Sequence, residues 1–364
     1  MTDQNTGTGS RISDGSRSGH TPEPRKRGRG LRITLGVLLV LLLAGGGTAY
    51  WMYSDLQGNI KGVDIDRALG GNRPEKLPTT GQNLLVLGSD SRAGAENREL
   101  GGGGAVGGAR SDTALVVHIP EGRTEAVAVS IPRDTLVTRP ECTAPDGSKK
   151  ASAERVMFNS VYSQVGPACV VKTVEQMSGV RIDHYLEINF AGFKDLVDAI
   201  GGVTIDVEEP IKDQASGLDL TAGTHRLDGT ESLAYVRTRH GVGDGSDLGR
   251  IGLQQQFLLA LLTEIKSQDL LGSPTTTYRI ADSATRSLTT DEGLASLTSL
   301  SEFARSMNGV DPASMETIML PVAYDERDPN RVVASEPRAG DLWKAIREDG
   351  TIPESAKKSP ATGG

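Results

Sequence analysis

Asn83-Leu84-Leu85-Val86-Leu87-Gly88 decides the fold. Four apolar side chains in succession, stopped by glycine, describe a strand covered on both faces, because a strand with one wet face would alternate. Two more runs resemble it, Thr113 to Ile119 and Glu125 to Ile131. Helical spacing follows over Ala153 to Gln164, Val170 to Met177 and Phe190 to Ile200, the last closed by the stop signal Gly201-Gly202. His184 to Asn189 and Val203 to Val207 read as strands, Asp228 to Val236, Leu248 to Lys266 and Asp291 to Met307 as helices, and Thr317 to Leu320 as a late strand. Strands interleaved with helices predict an α/β protein, a layered α/β/α domain around a central mixed sheet.

Upstream of this body, Ile33 to Tyr53 contains no charged residue over 21 positions, about 30 Å as a helix and enough to span a bilayer. Arg25, Lys26, Arg27, Arg29 and Arg32 precede it and place the N-terminus in the cytoplasm by the positive-inside bias, with the body extracytoplasmic. Tyr50, Trp51 and Tyr53 suit the far headgroup level. A cleaved signal peptide is the competing reading, although its apolar core is usually shorter. The expected organisation is a disordered cytoplasmic tail over 1–30, one transmembrane helix over 31–53, a polar stalk over 54–80, an extracytoplasmic folded domain over 81–325, and a C-terminal extension over 326–364 that frays after about Lys344.

Composition narrows the function. The chain has 364 residues and a formal charge of −8; seven basic and three acidic side chains in residues 1–32 leave −12 on the remainder. Such a body does not bind nucleic acid non-specifically. Two cysteines cannot supply the four thiolates of a zinc ribbon. In an oxidising compartment Cys142 and Cys169 are expected to form a bridge, two free buried thiols being the alternative. Gly102 to Gly107 matches G-x-G-x-x-G formally, yet it runs into Arg110-Ser111-Asp112 and a strand instead of opening a helix, so it reads as a loop. The chain contains no P-loop, no G-x-S-x-G and no H-E-x-x-H sequence.

Acids and arginines instead collect just beyond strand ends, where open α/β sheets bind ligands. Asp90 follows the first strand, Arg110 and Asp112 precede the second, and Arg133 follows the third in Ile131-Pro-Arg-Asp134. Singly, such an Asp is usually a turn residue and such an Arg a solvated charge. Jointly they call for an anion and a cation, and oxygen-only ligands at Asp90 and Asp112 favour Mg²⁺ or Mn²⁺. Tyr235-Val-Arg-Thr-Arg239, read as extended, points Arg237 and Arg239 to one side as a phosphate fork. Arg250 and Gln254 stand one helical turn apart beyond Asp247, with Leu258, Leu261 and Ile265 continuing as the wall of an apolar groove or as plain core.

In their order these segments resemble the LytR-CpsA-Psr family of bacterial cell-envelope proteins. Asn83 to Arg92, Arg110-Ser-Asp-Thr113, Val129 to Thr135, Ile182 to Phe193, Leu196 to Val203, Ala234 to Arg239 and Asp247 to Gln256 carry the likeness, over roughly half the chain. The resemblance implies a phosphotransferase that moves a glycopolymer from a polyprenyl pyrophosphate carrier onto peptidoglycan through a phosphodiester. It implies Mg²⁺ at Asp90 and Asp112, and pyrophosphate at Arg110, Arg133, Arg237, Arg239, Arg250 and Gln254, with Asp247 beside them. Asp134 and Asp247 are candidates for the general base. Leu253 departs from the family, which often has a basic residue there, and removes a secondary phosphate contact. A polyprenyl pyrophosphatase and a non-catalytic envelope regulator or lipid-binding scaffold remain the alternatives.

Overall fold

A computed structural model of the chain describes residues 27–71, 73–76, 79–89, 111–122, 125–144, 146–239, 247–268 and 273–359, with no side-chain description for 27–35, 37, 112 and 247. The expected disordered tail, the flanking basic residues and the glycine loop therefore lie wholly or partly outside the described residues. Residues up to Trp51 form one unit and those from Met52 another. A helix covers Arg27–Asn59, with Leu38 to Leu43, Tyr50 and Trp51 exposed. Among the described residues no helix is long and apolar enough to cross a membrane.

The second unit is built on short strands. In chain order these are β1 (Lys61–Val63), β2 (Gln82–Ser89), β3 (Ser111–Ile119), β4 (Val127–Ser130), β5 (Leu136–Arg139), β6 (Cys142–Thr143), β7 (Lys149–Lys150), β8 (Ala153–Met157) and β9 (His184–Asn189). Then come β10 (Val203–Val207), β11 (Ile211–Asp213), β12 (Leu218–Leu220), β13 (Gly223–Leu227), β14 (Leu288–Asp291), β15 (Glu316–Met319), β16 (Val322–Tyr324) and β17 (Val332–Ala334). Seven of them make the central sheet, in the order β1-β14-β9-β2-β3-β4-β15. It is mixed: β2 lies parallel to β9 and antiparallel to β3, while β15 runs parallel to β4.

Both faces are covered, as the continuous apolar runs require. Leu85, Leu87, Val116, Val129 and Tyr185 pack with buried residues of the Phe158–Val165, Pro167–Ser178 and Arg338–Arg347 helices. On the other face Leu84, Val86, Val117 and Ala128 meet Leu258, Leu259 and Leu262 of the Asp247–Ser267 helix. A separate apolar cluster joins Val197, Ile200, Val203, Ile205, Leu227, Tyr235 and Phe257. The Phe190–Ile200 helix ends as its glycines demand: Gly201 is left-handed at φ 87°, and a Cβ on Gly202 would stand 2.8 Å from the Leu227 carbonyl.

Several expectations are corrected. The stalk over 54–80 is no spacer: β1 pairs with β14 at the sheet edge, Ile65 and Leu69 are buried, and Arg73 binds the Glu175 carboxylate at 2.7 Å. Few apolar residues were enough to dock it because a strand, two core side chains and several polar contacts, Lys76–Asp183 among them, share the work. The chain after Lys344 does not fray over its described residues, since Ile346, Ile352 and Ala356 are buried in the main core with Leu342 and Trp343. Helix over Ala153 to Gln164 is half wrong: Ala153–Met157 is β8, paired with β5, and the helix starts at Phe158. Of the helix expected from Asp291 to Met307, only Leu297–Ser306 is α-helical.

Cys142 and Cys169 form a disulfide, the sulfurs 2.04 Å apart, in the main core.

Candidate functional site

The register of β2 and β3 brings one set of chain ends together. Gly88 pairs with Thr113 and Ser89 with Ser111, so Asp112 is the extra residue of a β-bulge, the device by which strands re-aim a side chain beside a site. Asp90 follows Ser89 directly, and Arg110 precedes Ser111; both residues lie outside the described residues, as does the Asp112 side chain. Position 112 and the positions flanking 90 and 110 thus share one end of the sheet. Among the described residues no group of three or more His, Cys, Asp or Glu is placed to hold a metal ion.

The neighbouring strands end at the same place. β4 leads through Ile131, whose N–H donates to the Ala114 carbonyl, into the turn that carries Arg133, its side chain 19% exposed. The end of β9, Asn189, pairs with Ser89 and caps the next helix by accepting from the Gly192 N–H at 2.9 Å. Phe190 then lies under the Arg237 guanidinium, 4.8 Å from ring centroid to Cζ, a cation–π contact that anchors the cation beside the sheet end.

Arg237 is not on an extended segment as expected. Asp228 and Glu231 form a capping box that starts a helix over Gly229–Arg237, and Thr238 ends it. Arg237 therefore sits in the last turn, where cations suit the helix dipole. Arg239 follows in the loop, its N–H donating to the buried Asp213 carboxylate at 2.9 Å. The two arginines stay close through a helix terminus and not through strand alternation.

The Asp247–Ser267 helix closes the set. Arg250 is 3% exposed, and three successive glutamines moor the helix to three neighbours. Gln254 donates to the Val236 carbonyl at 3.1 Å, Gln255 to the Ser130 hydroxyl at 3.2 Å, and Gln256 to the Asp206 carbonyl at 2.8 Å while accepting from the Tyr235 hydroxyl at 2.6 Å. Burial pushes the Tyr235 phenol up to about 12, so it stays a donor at neutral pH. Gln254 thus fixes the helix that carries Arg237. Leu253 is 7% exposed within an apolar cluster, so a buried packing role occupies that position. The Asp247 side chain lies outside the described residues.

Arg133, Arg237, Arg239, Arg250 and Gln254 consequently come from elements tied together at one end of the sheet. Sequence reasoning did not single out Phe190, Ser130, Asp213 and Gln255, which hold these groups; all but Asp213 lie within the motif blocks, Gln255 also in the glutamine run. Asp134, a general-base candidate, instead lies between two guanidinium groups, 3.5 Å from Arg133 Nε and 3.6 Å from Arg331 Nη1.

Comparison with known proteins agrees with this layout. The LytR_cpsA_psr family model matches residues 52–348. The chain is 38% identical to the "Probable cell wall biosynthesis protein LcpB" of Corynebacterium glutamicum over 61% of its own length and 52% of the relative's, so it spans about half of that protein. It is 30% identical to the polyisoprenyl-teichoic acid–peptidoglycan teichoic acid transferase TagT of Bacillus subtilis, over 69% of this chain and 75% of that one. A LytR-Csp2A-Psr enzyme from Actinomyces oris shares the fold with a TM-score of 0.58 at 24% identity, over 79% of this chain and 96% of the other. TagT bound to LI-WTA superposes with a TM-score of 0.56, also at 24% identity, over 79% and 98%. With a family match running from the last turns of the first helix to the C-terminal helix, and with its motifs gathered at one end of a mixed sheet, the chain belongs to the LytR-CpsA-Psr family.

Proposed function

We propose that this chain transfers a glycopolymer from a polyprenyl pyrophosphate carrier to peptidoglycan. The observation that supports this reading is that the segments bearing Arg133, Arg237, Arg239 and Arg250 are tied to one another beside one sheet end, by Phe190 under Arg237, Gln254 on Val236 and Gln255 on Ser130, in an otherwise acidic chain. Clustered guanidinium groups repel one another unless an anion lies among them, and their planar forks match phosphate oxygens. A peptidoglycan hydroxyl attacks the phosphorus nearest the glycan, the bond from that phosphorus to the bridging oxygen breaks, and polyprenyl phosphate leaves with the electron pair. Arg133, Arg239 and Arg250 neutralise charge that builds on the phosphoryl oxygens, while Arg237, steadied on Phe190, orients the diphosphate.

Asp90, next in sequence to Ser89, and Asp112, next to Ser111, would supply an oxygen-only pair suited to Mg²⁺ or Mn²⁺. When bound, the ion offsets diphosphate charge. Arg110 joins the anion-binding set by its position beside Ser111. Ile33 to Tyr53 anchors the chain, with residues before it cytoplasmic and those after Tyr53 outside; the Cys142–Cys169 disulfide supports that placement.

The test is product analysis after incubating the full chain with a polyprenyl-pyrophosphate-linked glycan, Mg²⁺ and peptidoglycan. Glycan recovered covalently on peptidoglycan is the expected product. Free glycan phosphate alone would make the chain a pyrophosphatase, and binding without turnover a scaffold.

A further inference from the structure

The turn that presents Arg133 is fastened from a direction the motifs do not reach. Its backbone is fixed by the helix beneath it: the Asn159 N–H donates to the Arg133 carbonyl at 3.1 Å and the Phe158 N–H to the Thr135 carbonyl at 2.9 Å. Its side chain faces Asp134, Nε to Oδ2 3.5 Å. The other carboxylate oxygen, Oδ1, faces Arg331 Nη1 at 3.6 Å. Arg331 stands just before β17, and the next residue, Val332, donates its N–H to the Asp134 carbonyl at 3.4 Å and bridges to Thr135.

Arg331 is itself held. Its N–H donates to the Asp328 carbonyl at 2.9 Å, its carbonyl accepts from the Asp325 N–H at 2.9 Å, and Nη1 donates to the Asn330 carbonyl at 3.0 Å. Asp325 also accepts from the Arg155 guanidinium at 2.7 Å, which ties the β16–β17 loop to β8. A carboxylate whose other oxygen faces a guanidinium held in this way has little freedom to turn, and the Arg133 side chain that faces it loses rotamers accordingly.

We propose that Arg331, acting through Asp134, is a positioning residue for Arg133. It sets the direction of the Arg133 guanidinium and does not touch substrate. This rests on the reading that Arg133 meets the diphosphate. It also assigns Asp134 to orientation, leaving the acceptor's proton to another group.

The test uses the full chain and two readouts. In kinetics, Arg331→Ala is expected to lower kcat about tenfold with KM within about twofold, as misplacement at a reacting centre does. Arg331→Lys is expected to return within about threefold of the parent, because the contact joins one nitrogen to one oxygen. In an Arg133→Ala background the same Arg331→Ala change is expected to cost less than about twofold, the signature of residues acting as one unit. The second readout needs no turnover: the Arg133 Nε–H resonance, assigned with Arg133→Lys, should move toward a free guanidinium position in Arg331→Ala and in Asp134→Asn, with the thermal midpoint held. A tenfold penalty that persists without Arg133 would overturn the proposal, since Arg331 would then act on substrate itself. So would an unmoved resonance or an unchanged kcat. If the resonance moves but the parent protein transfers nothing, the relay stands and the assigned reaction fails.

Discussion

Arg250 is a single charge enclosed by the protein. At 3% exposure its guanidinium has exchanged water for protein, a placement tolerated only where the charge has partners. Replacing Arg133 or Arg239 by Ala removes a charge-assisted contact to the developing phosphoryl charge. The expected loss in kcat is roughly a hundredfold, about 3 kcal/mol. Single-turnover rates at saturating donor are the measurement, and a change under about threefold would take the residue out of the mechanism. Asp90→Ala and Asp112→Ala should each abolish cation-dependent turnover; full activity of both without added divalent ion would remove the metal pair. Leu253 carries a further prediction. Because it is buried in an apolar cluster, Leu253→Arg should destabilise the fold by about 3 kcal/mol in denaturant titration and should not tighten diphosphate binding. Sequence alone assigned the missing basic group to lost phosphate contact; the residue's burial shows a packing position that no local pattern could distinguish.

Between residues and the whole, the elements that were legible are those with one strong period. β2, β3, β4, β9 and β10 were readable as apolar or alternating runs, and the Phe190–Ile200 helix from its stripe and its terminal glycines. Ala153–Met157 was not, because its pairing partner β5 is decided by distant chain, and a strand of that length has too few residues to show a period. The helix from Asp228 was legible, but its end was not: Tyr235 to Arg237, read as extended for the sake of the arginine fork, still belong to the helix that the Asp228–Glu231 capping box opens. β14 was not read at all except for Asp291, which was taken as the start of a helix although it does structural work as the strand's last residue. Asp291 accepts from the Tyr185 N–H at 2.9 Å and the Gly293 N–H at 2.8 Å, and faces His184. Burial opposes its ionisation, yet the His184 contact and these backbone donors prevail and hold it below the ordinary carboxylate range. A depressed folded value stabilises above the unfolded one, near about 4, and that stabilisation is lost as pH falls through the folded value. Asp291→Asn should therefore cost about 1–2 kcal/mol at pH 7, a gap that closes progressively in unfolding titrations below about pH 4.

The domain from Met52 onward has its borders where long-range contacts fall, and those contacts are invisible locally. A fragment beginning at residue 81 would lose β1, Ile65, Leu69 and the Arg73–Glu175 pair, and should be recovered as aggregate, whereas one beginning at Met52 should show a single cooperative melt. The fold class and the ordered motif blocks were legible because they are encoded in contiguous runs; the docking of both chain ends was not, since each relies on a few residues whose partners lie over a hundred positions away. The disulfide belongs to this scale too. It joins residues 27 apart, and opening it by Cys142→Ser with Cys169→Ser should lower unfolding free energy by about 3.5 kcal/mol relative to the oxidised parent.

That link has a consequence for where the protein can last. Both sulfurs are enclosed, at 5% and 2% exposure, so once formed the bond is sheltered from small reductants until the interior opens. A copy held in a thiol-rich compartment keeps two separate thiols in the same interior and lacks several kilocalories of tethering. Durability is thus acquired from the surroundings after synthesis, and a preparation made under reducing conditions should age faster than one given an oxidant before purification.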